Sequence, residues 1–163
     1  MIDPFTQTSQ AILGSLRADA GWASMVKPGN VVDMTADSFE RFKLQLQPAD
    51  VPEVILLQGG FKLKPFGASS RMTEMDQSYQ LIATHDSLRV RPVNQLKFQT
   101  LIALAKAGPS LGLEGLIREW EITQGDDDAV GQKQWRRGTQ RWVSVLSIRV
   151  SMYLARERLV SLC

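Results

Sequence analysis

The chain has 163 residues, a formal net charge of +2, 44% hydrophobic and 22% charged residues. This length suits one domain, residues 1–163, burying about 70% of the surface its unfolded chain exposes, and the near-neutral balance lacks the clustered basic face that nucleic-acid binding requires. No charged N-terminal stretch precedes an apolar core, no apolar run reaches the ~18 residues of a membrane span, and a single cysteine, Cys163, excludes an internal disulfide and a cysteine metal cluster, so the expectation is a cytoplasmic product without membrane or cofactor.

Asp3-Pro4 is a helix start, with Asp as N-cap and Pro at the first helical position. Phe5, Ile12, Leu16 and Ala20 then fall on one helical face, supported by Leu13. The helix is expected to end between Ala18 and Gly21, with Trp22 to Val26 continuing as a broken turn. Lys27-Pro28-Gly29-Asn30 is a turn by composition, and Val31 to Met34 suits a short strand. Thr35 to Pro52 is mixed and shows no period.

Val54 to Leu57 is an apolar run of strand type, interrupted by Gly59-Gly60 and continued by Phe61 and Leu63. A Gly pair inside a strand pattern marks a bulge or bend. Lys64 to Asp76 has no period and reads as a long mobile loop. Gln77 to His85 returns to strand, with Tyr79, Leu81 and Ala83 on one face and Ile82 on the other. After Arg91-Pro92 a second helix follows, Val93 to Lys106. Its stripe is Val93, Leu96, Thr100, Leu101 and Leu104, widened by Phe98, Ile102 and Ala105, and Gly108-Pro109 ends it. Leu116 to Thr123 alternates as a further strand, and Gly125 to Gln140 reads as a polar, mobile connection.

The last strand has the strongest pattern. From Trp142 to Leu154 the even positions are Trp142, Ser144, Leu146, Ile148, Val150, Met152 and Leu154, and the odd ones are Val143, Val145, Ser147, Arg149, Ser151 and Tyr153. Such alternation marks a strand with one face in a core. Thirteen residues at ~3.4 Å span about 44 Å, against a domain diameter of about 40 Å. The strand is therefore curved or projects, where a neighbouring subunit would pair with it or pack on its half-apolar odd face. The order of elements predicts an α+β fold, α-β-β-α-β-β, with a mostly antiparallel sheet and two helices packed on one face.

Candidate chemistry is sparse. His85 beside Asp86 is the one histidine pair for a general base, but no Ser or Cys nucleophile motif accompanies it, so it reads as an exposed loop pair. Asp126-Asp127-Asp128 lacks the alternate carboxylates and later bidentate Glu of a calcium loop and reads as a solvated turn. Lys133-Gln134-Trp135-Arg136-Arg137 mixes basic residues with an aromatic that can stack on a base, yet the cluster is short, and an acidic neighbour is the better partner. Gly59-Gly60 has no following helix or Lys for phosphate binding. Cys163 has no basic partner nearby and reads as a spectator. No catalytic, cofactor or metal site emerges.

What remains is an extended hairpin with acidic residues at its root, Asp126 to Asp128, and basic residues further on, Lys133 to Arg141. Charges of both signs on one arm suit a head-to-tail contact between subunits. The chain also resembles the tail terminator and tail-completion proteins of long-tailed bacteriophages. The matching stretches are Ser9 to Arg17 for the first helix, Val51-Pro52-Glu53-Val54-Ile55-Leu56-Leu57 for a Pro-led strand and Gln77 to Thr84 for its partner. The helix Val93 to Lys106 and the closing stretch Gly138 to Val150 complete them.

The resemblance implies a structural, non-catalytic ring, usually a hexamer. Such a ring stops tail-tube polymerisation, presents a surface to the neck and lets DNA pass through its lumen. Its expected place is the virion tail, after assembly in the host cytoplasm, and its partners are further copies of itself, the tail-tube protein and neck or connector proteins. Val143, Val145, Arg149 and Tyr153, with Asp126, Asp127 and Asp128, are the expected subunit contacts. Lys133, Trp135, Arg136 and Arg137 are expected to line the channel or grip a neighbour. Two other readings stand beside this one: a neck or head–tail connector of related fold, and a small ligand-binding or regulatory module using a pocket between sheet and helices.

Overall fold

The computed structural model describes residues 3–33, 52–64, 72–85, 90–129 and 142–155. Helix α1 spans Pro4–Ala18, α2 Ala20–Met25 and α3 Val90–Ala107, with a 3-10 turn at Pro28–Asn30. The strands are β1 Val31–Asp33, β2 Glu53–Leu63, β3 Met72–His85, β4 Ile117–Ala129 and β5 Trp142–Ala155. They form one five-stranded sheet in the order β1-β2-β3-β5-β4. All neighbours are antiparallel except β1 and β2. The α+β class, the mostly antiparallel sheet and the helices packed on it are as expected, with three α-helices where two were anticipated.

Local chemistry explains how α1 begins and ends. The Asp3 carboxylate accepts the Thr6 amide at 2.9 Å and the Thr6 hydroxyl at 2.8 Å, which satisfies an otherwise orphaned donor. The hydrogen bond from the Thr6 backbone amide holds the Asp3 carboxyl below its ordinary range. Asp19 leaves helical geometry, closes α1 and caps α2, accepting the Trp22 amide at 2.8 Å. The segment expected as a broken turn is thus a second short helix, and Ala20 belongs to it and is exposed.

The core lies between this helical layer and one sheet face. β3 and β5 pair over their whole lengths, setting Met75 beside Met152, Gln77 beside Val150, Tyr79 beside Ile148 and Leu81 beside Leu146. These residues are buried, together with Ile12, Leu13 and Leu16 of α1, Trp22 of α2 and Leu96, Ala103 and Leu104 of α3. The even positions of β5 from Ser144 to Leu154 are all buried, as the alternation predicts. Several polar groups at the helix–sheet interface are hydrogen-bonded. The Trp22 indole donates to the Thr100 hydroxyl at 3.1 Å, the Trp120 indole to the Gly108 carbonyl at 2.9 Å, and the Tyr79 hydroxyl to the Phe5 carbonyl at 3.1 Å. Burial raises the Tyr79 phenol well above its ordinary range.

The Gly59-Gly60 interruption is a bulge, as read from the sequence. The register jumps between Gln58 and Phe61, and the buried Gln77 amide donates to the Gly59 carbonyl at 2.7 Å and to the Ser78 carbonyl at 2.9 Å. A Cβ at Gly59 would lie 3.3 Å from the Ser78 backbone oxygen. Gly108, at φ 80°, follows α3 where a left-handed residue ends a helix.

Two stretches expected as loop are strand instead. Met72 to Asp76 belongs to β3, where β5 supplies ladder partners as far as Ala155. Gly125 to Ala129 belongs to β4 and pairs with Leu146 to Trp142. Neither stretch alternates in hydrophobicity; both are held by the length of β5. The buried side of α3 also differs from the expected stripe. Leu96, Thr100, Ala103 and Leu104 face the core, whereas Phe98 is 65% and Leu101 40% exposed. α3 carries more apolar positions than one face can bury, and periodicity alone does not choose among them.

Candidate assembly surfaces

β5 lies between β3 and β4 and pairs with both along its length. A neighbouring subunit therefore cannot add a strand to it, which corrects one of the two modes expected for this strand; contact is left to its odd-numbered face. On that face Val145, Ser147, Arg149 and Tyr153 are half-buried, and Ser151 is buried. At the β1–β2 corner of the same sheet face, Val32, Ile55 and Glu53 are buried as well.

Charges on this second face are largely paired within the chain. Arg149, an expected subunit contact, meets Glu121 opposite it on β4 at 2.7 Å. The Ser151 hydroxyl donates to Asp76 at 2.6 Å. Glu74 accepts from Lys64 and, at 2.9 Å, from Arg118, bridging from β3 to β4. The hydrogen bond that Lys64 donates to Glu74 lowers the Glu74 carboxyl and raises the Lys64 ammonium. All three side chains are partly exposed, so solvent screens the network. Val145 sits between Ile82 on one side and Asp126 on the other. The ion-paired end of the face lies near Tyr153, whose ladder partner is Glu74.

Val143 lies in the ladder between Thr84 and Asp128. Asp126, Asp127 and Asp128 stand in β4 opposite Val145, Ser144 and Val143, so the acidic run is strand rather than a solvated turn. Lys133, Trp135, Arg136 and Arg137, like Asp86 and Cys163, lie outside the described residues. His85 ends β3 opposite Trp142.

A polar centre that the sequence reading missed joins the helices. Besides the Trp22 amide, Asp19 accepts the Gln99 amide and the Lys106 ammonium, each at 2.6 Å. Lys106, then the Trp22 amide, then Gln99 hold the Asp19 carboxyl down to about 2. Beside it an open groove of about 820 Å³ runs between α1 and α3, lined by Ala11, Gly14, Ala103, Lys106 and Leu113 among others. The space between the sheet and α3, near Leu81, Leu96, Thr100 and Leu146, measures about 10 Å³. That is room for about one water. Among the described residues no three His, Cys, Asp or Glu side chains are grouped to hold a metal ion, and no helix is long and apolar enough to cross a membrane.

No protein-family model and no curated protein matches the chain. Among solved structures it is similar to a chain in the virion of a native gene transfer agent (GTA) particle, with a TM-score of 0.59 at 13% sequence identity. The likeness covers 90% of this chain and 94% of that one, and at this identity it is a likeness of fold.

Proposed function

We propose that the chain is a structural component of a phage-like virion, and within that class a tail terminator. In this reading copies of the chain close into a ring, a hexamer, that caps the tail tube, ends its growth and offers a surface to neck or connector proteins, with DNA only passing through the lumen. The observation that carries the reading is the near full-length fold likeness to a chain of a gene transfer agent virion. The long β4–β5 hairpin and the half-buried second sheet face agree with it. Val143, Val145, Arg149 and Tyr153 then contribute to subunit contacts, Arg149 doing so as part of its pair with Glu121. The acidic root, Asp126 to Asp128, meets a neighbouring subunit, and Lys133, Trp135, Arg136 and Arg137 grip a neighbour or line the channel.

The test is deletion of the coding sequence from the genome that carries it, with electron microscopy of the particles produced. Tails of uncontrolled length and heads without attached tails are expected. Particles with joined tails of uniform length would overturn the reading. Native mass spectrometry of the purified chain tests the ring separately.

A further inference from the structure

β1 covers β2 only from Val54 to Leu56. Among the described residues, residues 61–64 of β2 and its end, past the bulge, therefore have no strand on that side. At the other end of the strand order β4 pairs with β5 alone, and residues 119–122 are its regular stretch between two register shifts. Phe61 and Leu63 are 63% and 41% exposed, although they stand opposite Gln77 and Met75 on the core side of the sheet. Trp120 and Ile122 are half-buried on that same side, opposite Val150 and Ile148. Lys62, Lys64, Glu119 and Glu121 are exposed on the other side.

The ladders also decide which main-chain groups are left over, because in an antiparallel pair alternate residues bond the same neighbour. The Lys64 amide donates to the Glu74 carbonyl at 3.0 Å, so Lys64 and Lys62 bond β3, and Phe61 and Leu63 turn their main-chain groups outward. The Tyr153 amide donates to the Leu116 carbonyl at 2.8 Å, so odd-numbered positions of β5 bond β4. Glu119 and Glu121, opposite Ser151 and Arg149, are therefore bonded inward, and Trp120 and Ile122 turn outward. Each edge offers donors and acceptors on which a strand can be laid.

β2 and β5 run one way through the sheet, and β3 and β4 the other. A second copy set beside β4, with its helices on the same side, thus presents β2 antiparallel to it. Matching the outward residues sets Trp120 opposite Leu63 and Ile122 opposite Phe61, and with them Glu119 opposite Lys64 and Glu121 opposite Lys62. Two pairs are apolar and two are opposite in charge, the combinations that stabilise adjoining strands. Neither Lys62 nor Glu119 has an ion pair among the described residues. Lys64 is joined to Glu74 and Glu121 to Arg149, so the contact continues both networks. Like edges do not match: β2 on β2 sets lysine against lysine, and β4 on β4 sets glutamate against glutamate. Bulges before Phe61 and after Ile122 bend both strands before β1 occupies the β2 edge at Leu56.

We infer that copies of this chain join edge to edge, residues 119–122 of one subunit pairing antiparallel with residues 61–64 of the next. Two different edges meet, so the contact is heterologous, the kind that closes into rings. This inference rests on the self-assembly reading above and names the surface through which assembly occurs.

The test is a charge exchange. One variant carries Lys62→Glu and Lys64→Glu, the other Glu119→Lys and Glu121→Lys, so each has two edges of one sign. By native mass spectrometry each alone is expected to be unassembled, while circular dichroism shows a folded chain. Their equimolar mixture regains the parent assembly with the two kinds alternating, and hydrogen exchange at the Phe61 and Leu63 amides slows on assembly. Should a double variant fail to fold, Leu63→Pro takes its place. It removes an outward amide that the single chain does not use, so it is expected to fold without assembling, and its assembly overturns the inference. The ring reading survives and the edge pairing is overturned if both charge variants assemble alone as the parent does, if the folded variants stay apart when mixed, or if assembly leaves those two amides exchanging as before. Should the parent itself be monomeric, a synthetic peptide of residues 117–124 decides: slower exchange at Phe61 and Leu63 upholds the pairing while the unaided ring falls, and unchanged exchange overturns the inference.

Discussion

Asp19 and Lys106, 87 positions apart in the chain, are joined at 2.6 Å where α1 and α2 meet α3. The same carboxylate caps α2 through Trp22 and holds Gln99, so one side chain ties three helices together above the sheet.

Acid should loosen this joint. The ordinary carboxyl value of 3.8 is held down to about 2 in the fold. A depressed carboxylate contributes stability that is fully present above its unfolded value and is lost as pH falls through its folded value. The window is therefore from about pH 4 down to about pH 2. Asp19→Asn keeps a capping residue but loses the charge. It is expected to melt lower than the parent at neutral pH and to lose less melting temperature between pH 4 and pH 2. Parallel melting curves for the two proteins across that window would refute the assignment.

The two leucines that the sequence places in one core separate in the structure. Leu146 is 7% exposed and Leu101 is 40% exposed. Leu146→Ala should cost about 2–5 kcal/mol, as for other buried leucines. Leu101→Ala should change stability by about 0.5 kcal/mol or less. Urea melts of both variants check the difference, and comparable losses would mean that α3 buries the other side.

Gly21 tests the tightness of the helix joint. A Cβ there would lie 2.5 Å from the Gln99 amide nitrogen, which is itself held by Asp19. Gly→Ala within a helix ordinarily stabilises by roughly 0.5–1 kcal/mol. Here displacement of Gln99 should offset that gain, leaving Gly21→Ala within about 0.5 kcal/mol of the parent. In a Gln99→Ala background the full helical gain should appear. A double-mutant cycle measures it, and a coupling of zero would show that Gln99 does not fill this space.

Val145 probes the second sheet face. Its side chain is half-buried beside Ile82, and an Asp placed in a subunit contact would be a charge without a partner. Val145→Asp is expected to abolish or weaken assembly by light scattering while circular dichroism shows a folded chain. Val145→Thr, of similar shape, should assemble. Unchanged assembly of the Asp variant would remove this face from the interface.

Much of this molecule is written locally. Asp3-Pro4 starts a helix because an N-cap carboxylate and a fixed proline φ act within one turn. Gly108 ends α3 because a left-handed residue costs glycine little. The alternation of β5 predicts its buried face because side chains along a strand point to opposite sides. The bulge at Gly59-Gly60 is legible for the same reason: it is a break in a local pattern.

Tertiary structure decided what depends on partners distant in the chain. The interior place of β5 follows from pairing β3 on one side and β4 on the other, and it puts β4 at the end of the strand order among the described residues. Asp126 to Asp128 carry little strand propensity, yet the ladder with β5 draws them into β4. Of the broad apolar surface of α3, packing against α1, α2 and the sheet selects Leu96, Thr100, Ala103 and Leu104 and leaves Phe98 outside. The Asp19 centre joins residues 80 and 87 positions apart, a separation at which composition and period carry no signal because the interaction exists only once the helices are packed.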